Sequence, residues 1–540
     1  MSHAFLAIVW AVLFAFIILL WRKGTEFVAF KVMRRKTGCF RAPLYPHTDS
    51  FGGSDLVKQR QQANKDGNLQ ALYKRHFYAL GKTWEEIFWN ERVINTMDAV
   101  NHQYIHALGF EDFGKPKQRT KINAPILGNG IFAAEGAHWK HSRSIIKPIF
   151  ARAELENISM MAKHVDRFIS LLPKNSETFD IQPMLKKMVS HFNFLSCWVN
   201  KDKDQVLDIS TEFQFGESVN AQTPEGAPTA DRFLHALNAS LSGWHKRRLA
   251  GLLSIRYYFD KSWPESYKQL YAFIDAQVHR ALKLTSSFEG EKVPRPAEDP
   301  SQRYILLYEM AKEIRDPIRL RFELINIFLP SHDTTAALLS NIFFQLARHP
   351  KYWGQLREIT LALPFDPSDP AALSFSALKS LLPYRYIIQE TLRTIGPVGR
   401  VFRAARKDTT LPRGGGPDGK GPVFVSKGTI ICSLPYHIHH DKDIWGDDAD
   451  EFRPERWTEG KRNSWEYVPF LGGPRICPAQ QQVLLQATYV LLRVVREFEC
   501  IENKDEVVEY VELQRMAIES RRGVKIALGP AQDNSKYSSA

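Results

Sequence analysis

One cysteine near the C-terminal end stands in the stretch FLGGPRICPAQQQ, Phe470 to Gln482, where a sulfur can serve as a metal ligand or a nucleophile. Gly472, Gly473 and Pro474 cannot continue a helix or a central strand, so the chain must turn tightly before Cys477. From Val483 the run VLLQATYVLLRVVREF is free of glycine, and Leu484, Leu485, Val490, Leu491 and Val494 recur at helical spacing. Cys477 is therefore expected where a loop enters a buried helix, with Pro478 suited to the first helical position. The free N–H groups and positive dipole end of that helix favour a thiolate over a thiol. Arg475, two residues earlier, can pair with an acidic group on whatever the sulfur binds. Taken alone, such a turn also has an ordinary reading as an inert core cysteine.

Three further sets of residues have chemistry in their spacing. Asp333 and Thr334 are an acid and an alcohol inside the long apolar run RLRFELINIFLPSHDTTAALLSNIFFQLARH, which reads as a helix stopping at Pro350. Burying such a pair is costly unless it is hydrogen-bonded or used. Pro330 lies in the same run and should kink it, since proline removes one bond of the ladder. Trp139 and Arg143, four apart, share one helical face and can offer an indole N–H and a guanidinium to a carboxylate. Glu390 and Arg393 are one helical turn apart in LPYRYIIQETLR, and FRPERW supplies Arg456. A glutamate with two arginine partners forms a buried network. By itself each of these patterns is common: a polar helix face, an exposed arginine beside a core tryptophan, a solvated ion pair.

In order along one chain they are no longer common. Phe470, Gly473, Arg475 and Cys477 meet the pattern Phe-x-x-Gly-x-Arg-x-Cys, which resembles the haem-binding loop of the cytochrome P-450 family. The resemblance covers roughly residues 65 to 530. It implies that the Cys477 thiolate ligates the iron of a haem b, that Trp139, Arg143, Arg403 and Arg475 hold its propionates, and that Thr334 and Asp333 deliver protons to dioxygen. Glu390, Arg393 and Arg456 take a structural role. Two departures stand out: Ala479 replaces a customary glycine, and Pro330 and Ser331 replace alanine and glycine. The implied fold is mainly α, about a dozen helices with a small β region, and the implied reaction is a monooxygenation of a C–H bond. Electrons would come from NADPH through a separate cytochrome P-450 reductase, with cytochrome b5 as a further donor, because the chain has no flavin or nicotinamide fingerprint of its own.

The details GIF before the Trp139 helix, FQFGES at Phe213 and DTTLPRGGGPDG resemble the fungal membrane-bound alkane and fatty-acid hydroxylases. Terminal hydroxylation of such a chain is the leading expectation, and oxidative tailoring of a fungal polyketide or terpenoid is the alternative. A haem-thiolate isomerase or haem sensor is a third reading, disfavoured by Asp333-Thr334. After Arg393 the segment TIGPVGRVFR, with Val398 and Arg400, takes the place of a proline-rich apolar segment that lines the pocket in those relatives. Arg400 either turns outward to a neighbouring acid or anchors a carboxylate, phenolate or ketone of the substrate.

The whole composition agrees with a large folded enzyme. The chain has 540 residues, 44% of them hydrophobic, enough for an extensive core. Its five cysteines are odd in number and widely spaced, which argues against a zinc site or a disulfide framework. The net charge of +13 suits an anionic membrane or an acidic partner, and no nucleic-acid signature accompanies it. Ala4 to Trp21 is uncharged and, as a helix, would reach roughly 27 Å, close to the ~30 Å hydrocarbon core. Arg22, Lys23 and Arg34 to Lys36 then place the rest on the cytoplasmic side. The expected organisation is a single-pass anchor over residues 1–22 in the endoplasmic reticulum membrane and a proline-containing linker over 23–64. The catalytic domain follows over 65–530, then a disordered tail over 531–540. The polar stretch 285–301 reads as a surface loop, and Gly414 to Gly416 as a turn between short strands.

Overall fold

The computed structural model describes residues 3–49, 52–88, 91–116, 123–156, 158–189, 227–250, 257, 259–286, 306–460, 463–514 and 517–530. The expectations for FQFGES and for the tail 531–540, and most of the loop 285–301, lie outside these residues.

The long apolar run becomes the helix Pro317–Arg348, which organises the molecule. Asp316 caps it by accepting from Ile318 N at 3.0 Å, and Pro317 opens it where no N–H is needed. Both flanks are apolar and both are buried, but against different partners. Its first half, with Leu320, Leu324 and Phe328, joins a cluster with the helices Ala227–Ala250 and Ser262–Ser286. Its second half, with Ala336, Leu339 and Phe343, packs in another cluster with Leu382–Ile395 and Gln480–Glu497. Each fully buried Leu or Phe in these clusters contributes about 1.5–3 kcal/mol. Pro330 to Thr334 lie at the changeover between the two cores. The helix runs through Pro330 without a break in its assignment, so the proline leaves one ladder bond unmade but does not end the element.

Around this helical body lies a small β region. Its largest sheet has five strands in the order Thr83–Phe88, Glu91–Thr96, Ile430–Ser433, Val401–Ala405, Phe113–Gly114. All pairings are antiparallel except that of Glu91–Thr96 with Ile430–Ser433. Phe113 pairs with Ala405 and Gly114 with Ala404, so Lys115 leaves the sheet beside the strand that carries Arg403. The glycine-rich segment after Thr409 is a turn: Thr409–Gly415 and Gly421–Val425 form an antiparallel hairpin, with φ of +111°, +77° and +68° at Gly414, Gly416 and Gly419.

The N-terminal organisation differs from the expected one. The first helix does not stop after residue 22 but continues to Thr37, because nothing between Thr25 and Lys36 breaks a helix and Arg34, Arg35 and Lys36 suit its C-terminal end. Glu26 ties it to the body through Arg41 at 3.0 Å and Arg92 at 3.3 Å. Residues 54–66, assigned to a linker, form the helix Ser54–Asp66, with Leu56 and Ala63 buried in the same cluster as Tyr73 and Trp84. The folded unit thus begins before residue 65. Among the described residues no helix is long and apolar enough to cross a membrane.

Candidate functional site

The loop before Cys477 is closed by its own backbone, Cys477 N donating to Phe470 O at 3.1 Å. Gly473 adopts φ +67°, and a Cβ there would meet the His106 carbonyl oxygen at 2.0 Å. The loop can therefore lie on the His106 backbone only because this residue lacks a side chain. The helix begins at Gln480 with Ala479 as its N-cap, so Pro478 lies in the turn before it and not at the first helical position. Ala479 packs against the apolar cluster of the long helix, which accommodates its methyl group. Burial pushes the Cys477 pKa up, and the opposing effects of the Ala479 N–H and the Arg143 charge do not overcome it. An iron ion at the sulfur would supply the missing positive charge.

Cys477 lines a cavity of about 500 Å³, within the range of small-molecule sites. Its wall also includes Thr334, Trp139, Arg143, Arg403, Phe470 and Arg475, residues that are far apart in the sequence. Thr334 reaches it from the changeover in the long helix, donating its hydroxyl to Pro330 O at 2.8 Å. The lone pairs of Oγ1 remain free to accept from the cavity. Asp333, about 100° round the same helix, is not part of that wall. Val398 and Arg400 belong to the cavity wall, and the Arg400 guanidinium donates to the Tyr73 hydroxyl at 3.1 Å.

Next to the sulfur the charges do not balance. Arg475 stacks over the Trp139 ring at 4.4 Å and donates to Ala134 O at 2.9 Å and Glu135 Oε1 at 3.2 Å. Burial and the neighbouring Arg406 and Arg143 draw its pKa down to about 10 in spite of Glu135. Arg403 falls to about 10 as well, through burial and Arg475. A fourth cation escaped the sequence analysis: Lys115, whose ammonium is driven well below its usual pKa by burial and by Arg475 and Arg403. Arg143 is lowered by burial too. Glu135 is the carboxylate that offsets Arg403, Lys115 and Arg475, and it is shared with Arg406. His102 and His106 beside Arg403 are held neutral by burial, so they do not relieve the excess. Such a site wants an anion with two carboxylates beside a metal-binding sulfur, and haem with its two propionates has that form. Nothing in the sequence around Lys115 marks it, since a Gly-Lys-Pro step is unremarkable until strand pairing brings it to Arg403.

Behind the site lies the charge network. Glu390 is fully buried and accepts from Arg393 at 2.7 and 3.0 Å, from Arg456 Nε at 2.8 Å and from Trp457 Nε1 at 3.0 Å. Arg393 also donates to the carbonyls of His439, Ala449 and Glu451 at 2.8, 2.5 and 2.7 Å. It thereby fixes the helix Leu382–Ile395 to the segment that leads into the cysteine loop.

The family profile described as Cytochrome P450 matches residues 56–521. The chain is 34% identical over 505 residues to Cytochrome P450 monooxygenase apdE of Emericella nidulans, covering 93% of this chain and 91% of that protein. It is 34% identical to Cytochrome P450 monooxygenase iccC of Talaromyces variabilis, covering 92% and 93% of the two chains. To Cytochrome P450 52A12 of Debaryomyces hansenii it is 32% identical, covering 93% and 94%.

Proposed function

The chain belongs to the cytochrome P450 family and is a cytochrome P450 monooxygenase, and on that footing we propose that it inserts one oxygen atom from dioxygen into a C–H bond of a hydrophobic small molecule, with Cys477 as the iron ligand. The observation that carries this is the convergence of Cys477, Thr334 and four under-neutralised cations on one cavity. Haem, when bound, supplies the one-electron and dioxygen chemistry. Lys115, Arg143, Arg403 and Arg475 hold its propionates, Trp139 supports Arg475 through its ring, and Gly473 lets the loop lie close. Thr334 Oγ1, its own hydrogen tethered to Pro330 O, turns its lone pairs to the cavity and there accepts from and orients a proton donor; Asp333 supplies protons from the neighbouring helix face. The apolar remainder of the wall excludes water and orients the substrate.

Fatty acids and alkanes are the first substrate class, on the resemblance of GIF and DTTLPRGGGPDG to the fungal alkane and fatty-acid hydroxylases. An oxygenated specialised metabolite is the second reading, favoured by a cation at position 400 in the cavity wall. Electrons come from NADPH through a separate cytochrome P-450 reductase, with cytochrome b5 as an additional donor. The test is product formation with such a reductase. Thr334→Ala is expected to bind haem normally while product per NADPH consumed falls by about tenfold or more and hydrogen peroxide rises. Unchanged coupling removes Thr334 from proton delivery.

The first helix attaches the enzyme to the endoplasmic reticulum membrane, with the catalytic domain on the cytoplasmic side. Phe5, Trp10, Phe14, Ile17 and Trp21 are 50–69% exposed, which favours an apolar environment over water for that surface. Deleting residues 1–21 should release the protein from carbonate-washed membranes with its haem site intact; a truncated protein that stays in the integral fraction excludes a single anchor.

A further inference from the structure

One carboxylate stands among the cations beside Cys477, and it faces two ways. Glu135 lies directly before the helix Gly136–Glu156 that carries Trp139 and Arg143, and its carbonyl accepts from Trp139 N at 3.3 Å. On the inner side its Oε1 accepts from Lys115 N at 3.0 Å and from Arg475 Nη2 at 3.2 Å. On the outer side its Oε2 accepts from Arg406 Nη2. Lys115 and Arg475 line the cavity, whereas Glu135 and Arg406 do not. Gly114 makes room for the outer pair, since a Cβ there would meet Arg406 Nε and Glu135 Oε2, each at 2.6 Å.

The row continues outward. Arg406 Nη1 lies 3.7 Å from Glu111 Oε2, and Glu111 lies 4.0 Å from the exposed Lys140. Charges of alternating sign thus run from Arg475, 9% exposed in the cavity wall, through Arg406, 36% exposed, to the surface. Glu135 and a haem propionate draw on the same guanidinium. Arg475 spends Nη2 on Ala134 O and Glu135, leaving Nε and Nη1 for a propionate. How much of its charge serves the cavity depends on Glu135, and how strongly Glu135 draws on it depends on Arg406. Reduction of the haem iron takes one electron from the reductase, adds one negative charge to the cavity and makes or breaks no bond. A carboxylate nearby therefore opposes it and a cation favours it, less so where solvent screens the charge.

We propose that Glu135 is a positioning residue that sets the reduction potential of the haem, holding it down through Arg475 while Arg406 opposes it from outside. This rests on the haem-thiolate reading but concerns an equilibrium, so its test is a redox titration and not turnover. The full-length haem-loaded protein is titrated with dithionite and followed at the haem absorbance. Glu135→Gln keeps Oε1 as an acceptor for Lys115 N and Arg475 Nη2 but removes the charge. Arg406→Gln leaves Glu135 in place and removes the outer cation.

In Glu135→Gln the ratio of reduced to oxidised haem at a fixed poise should rise at least about threefold, an upward shift of about 28 mV at about 59 mV per tenfold. Arg406→Gln should shift the ratio the other way by about twofold, the smaller effect following from its exposure, and the double variant should fall between the two. A role confined to holding the loop would lower haem content without separating the potentials. Potentials that coincide in wild type and both single variants, or that move in the same direction in both, overturn the proposal. Should Glu135→Gln lose its haem, the sign in Arg406→Gln decides, and an unchanged or raised potential there overturns it. A wild type without a one-electron haem couple overturns the haem reading and this proposal with it, whereas a couple that neither substitution moves overturns this proposal only.

Discussion

Cys477→Ala should yield a protein that has lost the red-shifted carbon monoxide band of a reduced haem thiolate and all dioxygen-dependent product formation. Cys432→Ala and Cys500→Ala should keep both. The reasoning is positional. Cys432 is buried inside the five-stranded sheet, paired with Asn95 on one side and Phe402 on the other, and Cys500 lies exposed on a different sheet. Only Cys477, among the described cysteines, lines the cavity that carries Thr334 and the group of cations. Its thiol is disfavoured as an anion by burial, so without a metal the site has no reason to hold a charge there. The alanine variant should still fold, because the loop is closed by the Cys477 N–H to Phe470 O bond, which alanine retains. A normal carbon monoxide band in Cys477→Ala would falsify the assignment.

The second large effect is on stability. Arg456→Ala removes one of two guanidinium partners from Glu390, whose carboxylate is fully buried, together with the contacts of Arg456 to Asp448. Breaking such a network by removing one partner typically costs about 3–5 kcal/mol, because the remaining charge stays buried and under-paired. Against a total stability of roughly 5–15 kcal/mol, that is enough to leave much of the protein unable to hold haem at growth temperature. A matched control is Lys312→Ala, which breaks a half-exposed i,i+3 pair with Glu309 and should cost no more than about 0.5 kcal/mol. Urea denaturation monitored by haem absorbance compares the two. If both variants unfold at the same urea concentration, the Glu390 network is not what holds the cysteine segment in place.

Much of this was legible along the chain because it is coded by short-range spacing. The cysteine loop needs only Gly473, Arg475 and Cys477 in sequence, and the long helix declares itself by its apolar period and by Pro350 beyond its end. Glu390 and Arg393 meet through one helical turn, a separation that any helix provides. Another reading erred where a local rule competed with a longer-range one. The linker assigned to residues 23–64 is mostly two helices, since prolines at 43 and 46 interrupt only the stretch between them.

The sequence by itself determined which residues have the right chemistry: a cysteine at a tight loop, an alcohol in a buried helix, a glutamate and two arginines for a charge network. Only the tertiary structure decided which of them meet. Asp333 and Thr334 are neighbours in the chain, yet helical rotation sends Thr334 to the cavity and Asp333 away from it. Lys115 joins Arg403 because Phe113–Gly114 pairs with Val401–Ala405, a register written in no local pattern. Arg400 is held by Tyr73, on a helix more than three hundred residues earlier, which offers it a ring and a hydroxyl. Spacing along a chain specifies contacts within a helical turn or a hairpin, whereas contacts between remote segments depend on which buried surfaces pack together, and that is settled by the whole core at once.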